Sequence, residues 1–192
     1  MEEIRAVILR EIEQIKPFDD TEQESINYVS NWIKSGVEIF RIGKPDKPPI
    51  HLVSYFVLID KKNKSLLLVD HIKAQLWLPS GGHVEVNENP KVTVDRESVE
   101  ELGKAAKYLN NYEHPFFITI AKTVGLTAGH TDVSLWYLLD GDMSETLTYD
   151  KSEFKSIKWF KFEEVLRTPI SQLDPNLHRF VNKLNAYIKN IF

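Results

Sequence analysis

The chain of 192 residues contains no cysteine. That absence excludes disulfides, thiolate zinc sites and a cysteine nucleophile, and it is compatible with a reducing cytosol, so the expected location is cytoplasmic. No apolar run approaches the roughly 20 residues needed to span a bilayer, and no membrane partner is expected. The opening MEEIRAVILREIEQ is acidic and amphipathic, which is not the pattern of a signal peptide. Positive charge is scarce too. Lys and Arg number 24 against 28 Asp and Glu, a formal net charge of -4, which argues against broad nucleic-acid binding, since that needs a basic surface. Ser80 lacks a G-x-S-x-G elbow, which argues against serine nucleophile chemistry. There is no internal repeat and no low-complexity segment.

What is present is an ordinary globular composition, 42% hydrophobic and 27% charged, in a chain long enough to bury a substantial core. Residues 2 to 15 carry Ile4, Val7, Ile8, Ile12 and Ile15 at helical spacing. Pro17 and Asp19-Asp20 stop that helix, and Thr21 with Glu24 offers a capping box for a second, which presents Ile26, Val29, Trp32 and Ile33 and ends near Gly36. Residues 1–45 therefore read as a helical extension, expected to pack on a core domain at 46–192; a homodimer contact or a substrate lid is the alternative role. Residues 43 to 49 form a loop. Residues 50 to 59 are apolar on both faces, as a central strand requires. Further strands are expected at 66–69, 116–123, 130–139 and 157–160, a short helix at 162–166, and a last helix opened by Asp174-Pro175 with Leu177, Phe180, Val181, Leu184 and Ile188 inward.

The organising stretch is residues 78–103, LPSGGHVEVNENPKVTVDRESVEELG. Asn89 suits a helix cap and Pro90 the first helical position, while Gly103 supplies the left-handed residue that ends a helix. Between them Glu97, Glu100 and Glu101 stand at i, i+3 and i+4, so three carboxylates share one face. Such a cluster repels itself unless it is protonated or bridged by cations, and hard oxygen donors suit Mg²⁺ or Mn²⁺ held together with substrate phosphates. Arg96, four residues before Glu100, can orient the cluster. Alone, R-E-x-x-E-E would read as a solvated acidic face. The preceding Pro79-Ser80-Gly81-Gly82, which lets main chain turn sharply and approach a ligand, favours the functional reading.

Gly82, then Glu88, Arg96-Glu97, Glu100-Glu101 and Gly103, fall at the separations of G-x5-E-x7-R-E-U-x-E-E-x-G-U. The stretch resembles the Nudix box, and the chain is identified as a member of the Nudix hydrolases. His51, G-G-H-V-E, His130-x-Asp132 and D-P-N-L-H-R-F at 174–180 resemble a bacterial Nudix group with a helical N-terminal extension. Ser98 and Lys104 depart from the aliphatic U positions; neither is an expected ligand, and Ser98 is expected to face the sheet and bond back to a carbonyl. The resemblance implies an α/β fold, an α/β/α sandwich around a mixed β-sheet, with the box forming loop, helix and loop. It also implies metal-dependent hydrolysis of a diphosphate bond in a nucleoside diphosphate linked to another moiety. On that reading Glu97, Glu100, Glu101 and the Gly82 carbonyl hold the metal, Glu101 or a loop carboxylate (Glu145, Asp150 or Glu153) is the base, and Glu88 and Arg96 support the site.

Other residues carry open alternatives. His83 can reach phosphate or stand in solvent, and Gly81 belongs to the same substrate-facing loop. His130 and Asp132 point to one strand face, where they line the substrate pocket or form a structural pair. With His178 they would spell a non-haem iron triad, which the helix–strand alternation disfavours. Trp77, Trp136 and Trp159 could stack a nucleobase, but strand aromatics are more often core. A Nudix-fold nucleotide sensor without turnover is the alternative function, disfavoured by the intact glutamates, and an isoprenyl diphosphate isomerase is disfavoured by the absence of cysteine. Coenzyme A and NADH-type motifs are missing, and the substrate stays open among oxidised nucleotides, nucleoside diphosphate sugars and dinucleoside polyphosphates.

Overall fold

The computed structural model describes residues 2–43, 46–127 and 129–189. Helices α1 (Glu2–Glu13) and α2 (Asp20–Lys34) come first, then β1 (Ile50–Asp60), β2 (Ser65–His71), β3 (Leu76–Leu78) and β4 (Ser80–His83). Helix α3 (Pro90–Leu102), β5 (Phe117–Lys122), β6 (Thr131–Asp140), β7 (Phe154–Lys161), α4 (Phe162–Arg167) and α5 (Leu177–Lys189) complete the order. The seven strands form one mixed sheet: β1 runs parallel to β6, and every other pairing is antiparallel. One residue of β1 in two points each way, so its two faces feed two cores. Leu52, Phe56 and Leu58 pack with α1, α2 and α3, while Val57 and Ile59 pack with α4 and α5. This is the expected α/β/α sandwich. No helix of the described residues is long and apolar enough to cross a membrane.

The N-terminal helices are welded to that sandwich. Ile8, Ile12, Ile15, Val29 and Ile33 are buried in one cluster with sheet residues Leu135 and Tyr137. Their apolar stripes are thus covered within the chain, which removes the ground for reading them as a dimer contact. Polar groups lock the same arrangement. Tyr137 Oη donates to Glu11 Oε2 at 2.9 Å, and Asn89 Nδ2 to Glu11 Oε1 at 3.2 Å. Arg179 grips Asp19 with two bonds, at 2.9 and 2.5 Å, and Lys183 Nζ donates to the fully buried Glu22 at 2.6 Å. The cap of α2 is Asp19, which accepts from Glu22 N, while Glu22 accepts from Phe18 N. The capping frame expected at Thr21 and Glu24 is displaced by two residues because Asp19 and Glu22 also answer the cations of α5. Lys44 and Pro45, where the expected 45/46 boundary falls, lie outside the described residues.

The segment 79–82, expected as a loop, is largely a strand. Ser80–His83 pairs with β1, Val53 opposite His83 and Tyr55 opposite Gly81. Pairing along β1 overrides the poor strand preference of glycine. Elsewhere the strand ends differ from the expected ones by up to three residues: β7 begins three early, at Phe154, while β5 is one residue shorter at each end.

Burial pushes Glu22 up and Lys183 down in pKa, each against the pull of its partner. Removing one partner leaves a buried charge without its counter-ion. Lys183→Met should therefore cost about 3–5 kcal/mol, and Glu22→Gln combined with Lys183→Met should recover most of it. Urea unfolding of the three proteins checks this; a single-variant loss below about 1 kcal/mol would mark a solvent-screened pair.

Candidate active site

Helix α3 forms where its end signals stand. Asn89 Oδ1 accepts from Lys91 N at 2.8 Å, Pro90 opens the first turn, and Gly103 ends the helix at φ 62°. Ser98 is buried, but its hydroxyl donates forward to the Lys104 carbonyl at 2.6 Å rather than back along the helix, so it ties down the helix exit. Ser54 Oγ donates to the Pro90 carbonyl at 2.9 Å and joins the helix start to β1.

The helix lies directly on the glycines of β4. A Cβ on Gly82 would collide with the Glu97 carboxylate, and one on Gly81 (φ 150°) with the Ser54 carbonyl. That close approach lets Gly81 N–H donate to Glu101 Oε2 at 2.9 Å. Glu97, Glu101, Gly81, Gly82 and His83 all line a cleft of about 410 Å³, a size suited to a small ligand. Of the three loop carboxylates left open by the sequence, Glu153 lines this cleft. Glu145 pairs with Lys104, and Asp150 accepts from Ser152 N and Oγ. Asp150 N–H in turn donates to the Glu101 carbonyl at 2.9 Å, which holds the Glu153 loop against the helix.

Arg96 lies at the centre of a set of bonds. It donates to Glu97 at 2.6 Å, to Glu88 at 3.3 and 3.2 Å, to Glu100 at 3.4 Å and to the His83 carbonyl at 3.4 Å. Glu100 stands apart, 60% exposed and outside the cleft lining, and its link to Glu97 passes through Arg96. Burial raises Glu97, opposed by Arg96, while Glu101 is pushed up to about 8 by burial and by the charge of Glu97. Burial works to raise Glu88, but Arg96, the Glu85 N–H and the Thr93 hydroxyl together hold it below its ordinary value. Asp174, expected only as a helix opener, also lines the cleft and is raised by burial to about 6.

A second group of side chains adjoins the same cleft: Asp46, His83, His130 and Asp132 line it, with His51 buried behind them. The parallel register sets His51 beside Asp132, and β4 sets His83 opposite Val53 on the same face. His130 precedes β6 and lies 3.2 Å from Asp132 and 3.2 Å from Asp46. The ring centroids of His51 lie 4.9 Å from both His83 and His130. Burial lowers His51, and lowers His83 to about 3, while the Asp132 carboxylate raises His130. His178 does not join: its Nε2 meets the carbonyls of Val165 and Thr168 at 2.9 and 3.1 Å. Trp77, Trp136 and Trp159 are absent from the cleft lining, and Trp136 is fully buried core. His51 and Asp46 were not among the expected site residues. The signal for His51 was its position opening the central strand; nothing in the sequence singled out Asp46.

The NUDIX domain matches residues 50–183 of the chain. The chain belongs to the Nudix family. It is a Nudix-type pyrophosphohydrolase at the level of reaction class. Similar solved structures include a NUDIX-family hydrolase from Clostridium perfringens (22% identity, TM-score 0.54, covering 71% of this chain and 97% of that one). A MutT NUDIX hydrolase from Burkholderia pseudomallei has 19% identity and a TM-score of 0.53 over 70% and 97% of the two chains. A C. elegans Ap4A hydrolase has 15% identity and a TM-score of 0.57 over 72% and 98%. At these identities the likeness is one of fold. A search of curated proteins finds no match.

Glu101 has its ordinary value of 4.5 when unfolded and about 8 when folded. The folded state therefore binds more protons between those values, and in metal-free buffer this group lowers stability as pH rises from 4.5 to 8, by at most about 1.4 kcal/mol per pH unit. Glu101→Gln removes that slope. The urea midpoint of the variant should pull ahead of wild type across this window, and parallel pH curves would contradict the assignment.

Proposed function

We propose that the protein hydrolyses a diphosphate bond in a nucleoside diphosphate linked to another moiety, using Mg²⁺ or Mn²⁺. The observation that carries this reading is the convergence of Glu97, Glu101 and Glu153 on one cleft beside Gly82. Burial first, and then the neighbouring Glu97 charge, push Glu101 up to about 8, and hard divalent cations are the partners that relieve such an oxygen cluster. The donor chemistry fits the metal implied by the family. Glu97, Glu101 and the Gly82 carbonyl would hold it, with Glu100 joining from the exposed side. A bound divalent cation would neutralise phosphate charge and lower the pKa of coordinated water.

The chain's own groups divide the remaining work. Arg96 holds Glu97 in place through its 2.6 Å bond and keeps Glu88 and the His83 carbonyl attached to the helix. Gly81 N–H fixes one oxygen of Glu101, so what Gly81 offers a substrate is space. With Glu97 and Glu101 assigned to the metal, the Glu153 carboxylate, which lines the same cleft, is the proton acceptor for the attacking water. Arg41, Lys73 and Lys122 line the cleft and supply positive charge for phosphates, and His83, His130 and Asp132 face the substrate.

A panel of nucleoside diphosphate derivatives with Mg²⁺ and Mn²⁺, read by product phosphates, tests the function. On an accepted substrate Glu97→Gln and Glu101→Gln should each lower kcat by about 100- to 1000-fold, equivalent to about 3–4 kcal/mol. Glu100→Gln should cost less than about tenfold, and Glu153→Gln should remove the acidic limb of the kcat/KM pH profile. Near-wild-type kcat in Glu97→Gln and Glu101→Gln would overturn the catalytic reading.

A further inference from the structure

We propose that His51, His83 and His130, with Asp46, form a second metal site that takes Zn²⁺ or a similarly borderline first-row divalent cation. One donor atom from each of the four residues lies within 4.8 Å of the others. These residues come from four places in the chain: the segment before β1, β1 itself, the end of β4 and the entry to β6. Register brings them together, since β1 is flanked by β4 on one side and β6 on the other.

The decisive feature is an unmet need inside this group. His51 is fully buried, and its Nδ1 lies 2.8 Å from the Pro48 carbonyl. A carbonyl only accepts, so Nδ1 carries the proton and the lone pair sits on Nε2. That Nε2 is buried with no hydrogen-bond partner among the described residues, and so is Nε2 of His83. Each such orphan destabilises the fold, because it has lost water without gaining a partner. An ion pair between His130 and its two carboxylates explains His130, but it leaves both orphaned nitrogens unexplained. A cation bound at both nitrogens accounts for them together.

The donors also select the metal. Three imidazoles with a carboxylate suit Zn²⁺ far better than Mg²⁺, which prefers oxygen throughout. A carboxylate or backbone carbonyl holding the second ring nitrogen is the usual support for such ligands; the Pro48 carbonyl holds His51 Nδ1, and Asp132 Oδ1, 3.2 Å from His130 Nε2, would leave His130 Nδ1 facing Asp46 as the ligand. Zinc–ligand distances of about 2.0–2.1 Å place ligand atoms closer together than 4.8 Å, so the group must draw in by up to roughly 1.5 Å. Asp46, whose side chain is 33% exposed at the cleft edge, gives a path of entry. A cation here would stand in the cleft that the substrate enters, beside a carboxylate set of different donor type.

The test is metal binding by the full chain, so it does not depend on finding a substrate. Zn²⁺ titration in a large excess of Mg²⁺ should give one tight equivalent, and Co²⁺ in its place should show the visible absorption of a nitrogen-rich site. Glu97→Gln/Glu101→Gln should retain both signals. His51→Gln/His130→Gln should weaken Zn²⁺ binding by more than the roughly 10–100-fold that loss of a supporting partner costs, with an unchanged far-UV spectrum. If that variant fails to fold, Asp46→Asn at the exposed edge should still weaken Zn²⁺ and alter the Co²⁺ spectrum. Zn²⁺ affinity unchanged by the histidine or Asp46 substitutions, or lost with the glutamates, overturns this site while leaving the hydrolase reading to its own kinetics.

Discussion

The contact between α3 and β4 governs the cleft. The missing side chain of Gly82 lets the Glu97 carboxylate of the helix occupy the space of a Cβ, while that of Gly81 makes room for β1 at Ser54 and Tyr55. Glu101, one turn on, then meets Gly81 N–H. Glu97 and Glu101 are buried by this approach, and burial is the first cause of their raised pKa values. The same approach carries Arg96 over the end of β4, where it reaches the His83 carbonyl. Any side chain at position 82 would displace the Glu97 carboxylate from its place over β4 and with it the bond to Arg96. The glycines are therefore a requirement of spacing, not a flexible hinge.

The extension helices contribute at a distance. They cover the sheet face that α3 leaves open, and their polar links are long-range: Glu11 to Tyr137 and Asn89, Asp19 to Arg179, Glu22 to Lys183. Glu11 touches Asn89, the cap of α3. A change in α1 can thus alter the start of the site helix without entering the cleft. This position argues for a supporting role and against a lid, because the residues of α1 and α2 are absent from the cleft lining.

The legible part of the site was the part written in one stretch. Cap, first-turn proline, terminal glycine and the i, i+3, i+4 carboxylates are local, so spacing alone placed them on α3. Spacing could not show that Glu100 turns to solvent while Glu97 and Glu101 turn inward, since that depends on which side of the helix meets β4. Nor could it show that, of Glu145, Asp150 and Glu153, only Glu153 lines the cleft, while Lys104 and Ser152 engage the other two. The expected loop at 79–82 became a strand for a similar reason, because its pairing partner lies some 25 positions earlier in β1.

The histidine group extends this lesson. His130 and Asp132 shared a face by strand alternation, and the third histidine suggested by pattern was His178. The chain instead supplies His51 and His83, because a parallel register and an antiparallel one meet on β1. His178 is already satisfied by two carbonyls, whereas the Nε2 atoms of His51 and His83 have no such partners among the described residues. Satisfaction is the physical criterion that separates them: a buried imidazole with both nitrogens engaged is structure, and one with a fixed tautomer and an unmet lone pair is a ligand waiting for an acid. Gly82 and His83 adjoin in sequence, so one strand presents an oxygen-rich set through its glycine and a nitrogen-rich set through its histidine. Different donor hardness is what allows two cations to be sorted within a single cleft.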